Sequence, residues 1–493
     1  MIKETSFQSI DQRILLATEA FQFLKNTTIK DREAFMNAVA NKIEALNEVL
    51  LTTAHAETSL PLARLTGEKA RTIGQWRSYA KAVAKGIYTE ARIDLPQPNQ
   101  IKADLRKYNI GLGPVVVFGA SNFPFAFSTA GGDTASAIGA GCPVIFKAHP
   151  AHSETSQIMA DAITEVVKEF GWPEGVFSHV TGKSNDTGIY LVQHKEVKAV
   201  AFTGSFVGGK ALFDLANQRE EPIPVFAEMG SINPVFAFQN QLNSKAEELA
   251  KEYAASLTLG VGQFCTNPGV FIAQNGSGFE RFKVTLQSEI PNIAPVNMLH
   301  KGIFESFENN KKRVCSQSDI AVVSEVNNDI NQWKGRAMVI ETTAASFIKN
   351  KILSEEVFGP FGIIVKCENK EEMLQIAKQL NGQLTATIAA TNEDVRENTD
   401  IINTVKDKCG RLLFNGMPTG VEVVYAMQHG GPYPSTTDAR FTSVGPDAVK
   451  RFLRPIAFQN WPDEFLPEEL KNENPLQISR IVDGEANLGS LKI

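Results

Sequence analysis

Apolar and polar positions follow two different periods along this chain. From Asp31 onwards, Phe35, Val39, Ile43 and Leu46 recur three or four residues apart, which predicts an amphipathic helix over 31–55. Asp31 is the expected N-cap, and with Ala34 three residues on no capping box is expected there. A second helix is expected over 61–85, with Pro61 near its first turn, and residues 7–88 read as helical throughout. The character then changes. Arg92-Ile93-Asp94-Leu95-Pro96-Gln97-Pro98-Asn99-Gln100 is polar and proline-containing, an extended arm rather than core.

Short apolar runs alternate with helical stretches after the arm. Pro114-Val115-Val116-Val117-Phe118-Gly119, Pro143-Val144-Ile145-Phe146-Lys147, Val176-Phe177-Ser178-His179-Val180 and Lys198-Ala199-Val200-Ala201-Phe202 read as buried strands. Helices are expected over 125–141 and 153–170. Such alternation predicts an α/β fold with a doubly wound parallel sheet, whose ligands lie at the carboxyl ends of its strands. The pattern breaks after Ser231 and resumes, with strands near Val235, Ala321 and Ile363 and helices over 244–259 and 371–380. Two doubly wound domains are therefore expected, 1–91 with 113–231 and then 232–445. Residues 92–112 and the tail 446–493 are left over; the tail ends in Asp483-Gly484-Glu485 and reads as strand-poor.

At 493 residues and 43% hydrophobic, the chain is long enough for two or three cores. A net charge of -6 leaves no basic footprint for nucleic acid. The most apolar segment, 113–140, is interrupted by Pro124, Gly131, Gly132 and Asp133, so no membrane span is expected. The N-terminus reads as lacking a secretory h-region, which predicts a cytoplasmic protein. Cys142, Cys265, Cys315, Cys367 and Cys409 are odd in number and widely spaced, with no Cys-x-x-Cys pair. That predicts reduced thiols and no metal site.

Cys265 stands out within Gly262-Gln263-Phe264-Cys265-Thr266-Asn267-Pro268. A free cysteine is ordinarily a small core residue, but turn-forming neighbours suit a nucleophile better. Glu228 ends the strand Pro224-Val225-Phe226-Ala227, where a semi-buried carboxylate with a raised pKa could act as a general base. Asn122 follows the strand ending at Phe118; it is either a turn asparagine or a donor to a developing oxyanion. Gly204-Ser205-Phe206-Val207-Gly208-Gly209 lies at a strand–helix junction, where backbone N–H groups could meet a phosphate. Lys147 ends another strand, within reach of a ribose or its phosphate. Glu355 and Glu356 precede Val357-Phe358-Gly359-Pro360, and their carboxylates could bind ribose hydroxyls.

Together these stretches resemble the aldehyde dehydrogenase superfamily over nearly the whole chain. Ser121-Asn122-Phe123-Pro124, Val144-Ile145-Phe146-Lys147, Phe202-Thr203-Gly204-Ser205, Ala227-Glu228-Met229-Gly230, Gly262-Gln263-Phe264-Cys265 and Glu355-Glu356-Val357-Phe358-Gly359-Pro360 occur in the family's order. The resemblance implies that Cys265 attacks an aldehyde, that Asn122 and the Cys265 N–H hold the oxyanion, and that Glu228 activates the water that hydrolyses a thioester. It implies NAD(P) held by Lys147, Gly204, Ser205, Gly209, Glu356 and Phe358, a dinucleotide-binding role for 1–91 with 113–231, and a catalytic role for 232–445. It also implies a homodimer or homotetramer in which 92–112 and the tail exchange strands between subunits. Met229-Gly230-Ser231-Ile232-Asn233-Pro234 departs from the common pattern. With Phe414-Asn415-Gly416-Met417-Pro418 and His429-Gly430-Gly431-Pro432-Tyr433-Pro434, it resembles the branch of 2-oxoglutarate semialdehyde (2,5-dioxopentanoate) dehydrogenases and NADP-dependent fatty aldehyde dehydrogenases. Members selective for NAD often carry a glutamate three residues after the lysine; Pro150 stands there, which leaves NADP preferred and NAD possible. A CoA-acylating enzyme and a non-catalytic binding protein remain rival readings.

Overall fold

The computed structural model describes residues 4–97, 102–327 and 333–491; part of the expected arm, 98–101, lies outside the described residues. Four helices open the chain: α1 (Phe7–Leu24), α2 (Ile29–Ala45), α3 (Glu48–Thr58) and α4 (Leu62–Ala84). The apolar stripe that begins at Asp31 is divided between α2 and α3. Leu46 is extended, and Asn47 starts a new helix by accepting the Val49 N–H at 3.0 Å. The N-cap of α2 is Thr28 rather than Asp31. Thr28 Oγ1 accepts the Asp31 N–H at 3.1 Å and Asp31 Oδ2 accepts the Thr28 N–H at 2.9 Å, a capping box with Asp31 in its third position. Phe35, Val39 and Ile43 of α2 share one core with Trp76, Tyr79 and Val83 of α4 and with the first parallel sheet.

After the short arm strands β1 (Arg92–Asp94) and β2 (Leu105–Gly111), that sheet is built from β3 (Val115–Phe118), β4 (Val144–Lys147), β5 (Phe177–Val180), β6 (Ala199–Thr203) and β7 (Val225–Glu228). All neighbours are parallel, in the order β5-β4-β3-β6-β7. The order reverses beside β3, so a crevice opens outside the carboxyl ends of β3 and β6. Helices α5 (Gly132–Gly139), α6 (Ser153–Glu169), α7 (Asn185–Gln193) and α8 (Phe206–Asn217) connect the strands. The helix expected over 125–141 is only the eight residues of α5. Residues 125–131 form turns instead, with the Gly131 N–H donating to the Ser128 carbonyl at 2.8 Å and the Gly132 N–H to the Ala126 carbonyl at 3.0 Å. Glu68 of α4 holds the start of this stretch, its Oε1 accepting the N–H groups of Phe125 at 2.9 Å and Ala126 at 3.0 Å.

The second sheet contains β8 (Val235–Ala237), β9 (Val270–Gln274), β11 (Ala321–Glu325), β13 (Met338–Thr343), β14 (Phe361–Cys367), β15 (Gln383–Ala389) and β16 (Cys409–Phe414). Its order is β11-β13-β14-β9-β8-β15-β16, parallel except for β11. A small ladder joins β10 (Val296–Asn297) to β12 (Lys334–Gly335). Helix α9 (Gln239–Thr258) starts before the expected 244 and breaks at Lys245, whose φ is -137°.

The tail is not strand-poor. β17 (Leu453–Gln459) pairs antiparallel with β2 over seven residues, and β18 (Arg480–Val482) pairs parallel with β1 and antiparallel with β19 (Glu485–Asn487). Asp483-Gly484, part of the stretch that reads as strand-poor, is the tight turn between β18 and β19, with both residues at positive φ (46° and 90°). Arm and tail thus form one five-stranded sheet, β17-β2-β1-β18-β19, within the chain.

Candidate active site

Strand ends deliver most of the site. β3 leads into Asn122, β6 into Gly204 and Ser205, and β7 ends on Glu228. A cavity of about 460 Å³ at this edge is lined by Asn122, Gly204, Ser205, Glu228, Cys265, Glu356 and Phe358. Seven of the nine residues expected from the sequence therefore meet at one place. Lys147 and Gly209 do not line it. Lys147 Nζ donates to the carbonyls of Ala148 (3.0 Å) and Gly182, and Gly209 packs on Met229.

Cys265 arrives on a strained loop. Gly260, Val261 and Gly262 all have positive φ (55°, 60° and 65°), unusual for the β-branched Val261. A Cβ on Gly262 would lie 2.3 Å from the backbone of Gly359, so the nucleophile loop is pressed against Phe358-Gly359-Pro360. Asn267 Nδ2 fastens that contact by donating to the Gly359 carbonyl at 3.1 Å. Asn233 holds the loop from the other side, its Nδ2 donating to the carbonyls of Cys265 and Asn267, both at 2.9 Å. The Asn122 side-chain N–H2 donates to the Gln263 carbonyl at 3.2 Å, two residues from the thiol.

Glu228 is more enclosed than its sequence position suggested, only 3% exposed. Its Oε1 accepts from His429 Nε2 at 2.9 Å and its Oε2 accepts from the Ser443 hydroxyl. Burial pushes the carboxyl up, yet His429, Ser443 and Cys265 outweigh it and hold Glu228 below the ordinary carboxylate range. The raised pKa expected for this residue is thus reversed, because three donors surround it. The Cys265 thiol moves the other way: burial first, then the Glu228 charge, push it well above the usual cysteine value. A thiol so placed must lose its proton as it attacks, and the ionised Glu228 is the group positioned to take it.

His429 stands between the two. Its Nε2 is 3.4 Å from Cys265 Sγ and 2.9 Å from Glu228 Oε1, and Cys265, Glu228 and His429 each place a polar atom within 4.8 Å of the others. Its Nδ1 is buried without a hydrogen-bond partner among the described residues. One nitrogen therefore faces both groups, and as a donor to a carboxylate it carries the hydrogen. With that hydrogen given to Glu228, Nε2 cannot take the thiol proton, so His429 steadies the carboxylate rather than relaying between thiol and acid. His429→Asn is expected to lower kcat/KM for aldehyde about 100-fold, in line with loss of one preorganised donor, with coenzyme affinity retained. Stopped-flow turnover with a coenzyme-binding titration checks this; unchanged kcat/KM would make His429 a packing residue.

A second cavity, of about 540 Å³, reaches Cys265 from the side of α4. Phe123, Phe127 and Cys265 line both cavities, so the thiol sits at their junction. The arrangement gives a nucleophile two approaches, one from the crevice of the first sheet and one from α4.

Residues 2–455 match the aldehyde dehydrogenase family. The chain belongs to the aldehyde dehydrogenase family. It is 44% identical over 480 residues to alpha-ketoglutaric semialdehyde dehydrogenase 2 of Azospirillum brasilense, covering 97% of this chain and 91% of the relative. It is 41% identical over 488 residues to the alpha-ketoglutaric semialdehyde dehydrogenase of Acinetobacter baylyi, covering 98% and 92%. Among solved structures, betaine aldehyde dehydrogenase from Staphylococcus aureus in complex with NAD+ superposes with a TM-score of 0.78 at 19% identity, over 93% of this chain and 88% of that one. As an aldehyde dehydrogenase, the protein is an NAD(P)-dependent oxidoreductase.

The crevice suits such a coenzyme. Gly230 leaves room where a Cβ would meet Glu356 Oε2 at 2.3 Å, which lets that carboxyl close on the cavity. Burial pushes Glu356 up to about 8, so at neutral pH it is largely protonated and can both donate to and accept from ribose hydroxyls. Val207 is 78% exposed and Phe206 is 40% exposed in the first turn of α8, between Ser205 and Gly208 of the cavity wall.

Sequence reasoning quoted His429 as part of a motif but gave it no role, and it passed over Ser443 and Asn233. His429 and Ser443 lie 201 and 215 positions from Glu228, a separation no local pattern reports. Asn233 carried one signal, its place in the stretch Met229 to Pro234 that departs from the common family pattern.

Proposed function

We propose that this aldehyde dehydrogenase oxidises 2,5-dioxopentanoate to 2-oxoglutarate, with NADP preferred and NAD the alternative. The observation that carries the chemistry is Cys265 Sγ set 3.4 Å from His429 Nε2, beside an ionised Glu228, at the junction of two cavities. The substrate is supported by the near full-length similarity to two alpha-ketoglutaric semialdehyde dehydrogenases.

Cys265 attacks the aldehyde carbon and passes its proton towards Glu228. The Asn122 amide and the Cys265 N–H stabilise the oxyanion of the thiohemiacetal. NAD(P)+, when bound in the crevice, would supply the hydride acceptor for oxidation of this adduct to a thioester. Glu228, once it has released the thiol proton to solvent, takes a proton from water as that water attacks the thioester, while His429 and Ser443 fix the carboxylate. Gly204 and Ser205 would line the dinucleotide site with Gly209 behind them against Met229, Lys147 would reach the adenosine ribose from outside the cavity described above, Glu356 the nicotinamide ribose, and Phe358 would pack on the nicotinamide side. Residues 1–91 with 113–231 would carry the coenzyme and 232–445 the nucleophile.

NADP is supported by Pro150, which puts no acid three residues after Lys147. NAD has its own support in Glu4. Its carboxylate accepts from the Ser184 N–H at 3.0 Å and its charge acts on Lys147, where it would oppose a 2′-phosphate. The proposed location is cytoplasmic; among the described residues no helix is long and apolar enough to cross a membrane. A homodimer or homotetramer would cover β16, an edge strand exposing Leu412 and Phe414.

The test is coenzyme reduction with 2,5-dioxopentanoate, succinic semialdehyde, a long-chain aldehyde and glycolaldehyde, each with NAD and with NADP. Preference for 2,5-dioxopentanoate with NADP is the expected result. Preference for the long-chain aldehyde overturns the substrate, and reduction only when CoA is added overturns hydrolysis of the thioester.

A further inference from the structure

Helix α4 turns a charged face towards the second cavity. Arg64, Glu68 and Arg71 are spaced four and three residues apart, and all three line it together with Cys265. The rest of the wall is largely apolar, including Phe123, Phe127 and Phe264. Two guanidinium groups on such a wall are costly unless something pairs with them.

Neither arginine is fully satisfied. Arg64 Nη2 donates to the Asn122 carbonyl at 2.9 Å, and its guanidinium lies 5.1 Å from the Phe123 ring centre and 4.9 Å from that of Phe264. Arg71 Nη2 makes a long contact of 3.4 Å to the Val421 carbonyl, and its guanidinium lies 5.2 Å from the Phe127 ring centre. The Nη1 atom of each is buried with no hydrogen-bond partner among the described residues. Glu68 does not fill the gap. Its Oε1 is taken by two backbone N–H groups, its Oε2 is buried and unpartnered, and burial raises its carboxyl above the usual range. What remains is a cavity with excess positive charge, buried donors without acceptors, and a nucleophilic thiol in its wall.

We infer that Arg64 and Arg71 form the receptor for the substrate's carboxylate, with Arg71 the deciding member. The inference rests on the 2-oxo acid reading given above and names the residues that would select for it. A carboxylate in the cavity is drawn by the two guanidinium charges that line it and reaches the Nη1 donors, buried here, once the side chains turn towards it, while the aromatic walls keep water from competing. The aldehyde end of the same molecule is then directed at Cys265. Arg64 has a second duty, since it also holds the Asn122 loop; Arg71 touches no residue assigned to the oxyanion and is the cleaner probe.

The experiment uses the full-length enzyme and compares 2,5-dioxopentanoate with pentanal, an aldehyde of equal length and no carboxylate. For Arg71→Gln, the ratio of kcat/KM for the two substrates is expected to fall by about 100-fold, mostly through KM, since a site built around buried donors discriminates strongly against a poorly matched partner. Arg71→Lys is expected to restore part of the ratio, keeping the charge without the fork. Glutarate, titrated calorimetrically into the wild-type enzyme, is expected to bind, and to bind about 30-fold more weakly to Arg71→Gln. An unchanged ratio, or equal loss with both aldehydes and unaltered glutarate affinity, overturns the receptor while the proposed substrate stands. A wild-type enzyme that prefers pentanal and ignores glutarate overturns the proposed substrate itself, and the receptor with it.

Discussion

Cys265→Ala is expected to lower aldehyde oxidation about 10⁵-fold or more, the scale on which removal of a nucleophile is felt when it works as a unit with its base. Four other cysteines are present, and none is placed to substitute. Cys142 and Cys367 are buried, Cys315 lies 3.8 Å from Met338 Sδ, and Cys409 stands on the edge strand β16. Coenzyme binding should survive, because the crevice beyond β3 and β6 is shaped by Gly204, Ser205 and Glu356 and loses only one sulfur atom. Quenching or enhancement of reduced-coenzyme fluorescence reports the binding, and absorbance at the nicotinamide band reports the turnover. Residual turnover near the wild-type rate would remove Cys265 from the mechanism.

Glu228→Gln separates two quantities that usually move together. Steady-state oxidation should fall about 10³-fold, because the water attacking the thioester loses its base, and a burst of one reduced coenzyme per active site should precede the slow phase. The burst itself should be slower than in the wild type, because the variant also loses the group that takes the Cys265 proton. A steady-state rate that is intact and shows no burst would count against the base.

The parts of this site that the sequence made legible share a property: they follow the end of a parallel strand or sit in a turn next to one. Asn122, Gly204, Ser205 and Glu228 could be located because a buried strand has a recognisable apolar run and its carboxyl end is where sheets bind ligands. His429 and Ser443 have no such address. They lie in the segment 415–445 after β16, which has no helix or strand of its own, and they matter only because that segment folds back on β7, pairing the Glu228 backbone with Thr436. Arg64 and Arg71 were hidden differently. On an amphipathic helix an arginine reads as solvent-facing, and only the fold reveals which neighbours deny it water. The tail was misread because β18 and β19 are three residues each, too short for a period to register, while the Asp483-Gly484 turn between them was the stronger signal. The cap of α2 was misplaced by three residues because an aspartate can serve as cap or as third residue, and Thr28 decided between the two.

The seven-residue ladder between β2 and β17 also sets a timetable for synthesis. β2 leaves the ribosome about 340 residues ahead of its partner. At bacterial and eukaryotic elongation rates that is a delay of roughly 20 to 70 s. Throughout it, one edge of β2 has no strand to pair with and is open to other nascent chains. Arg106 and Lys107 lie on that strand, and charge on an unpaired edge discourages such pairing. The arm is thus held in reserve, polar enough to wait, until the last tenth of the polypeptide arrives to close it.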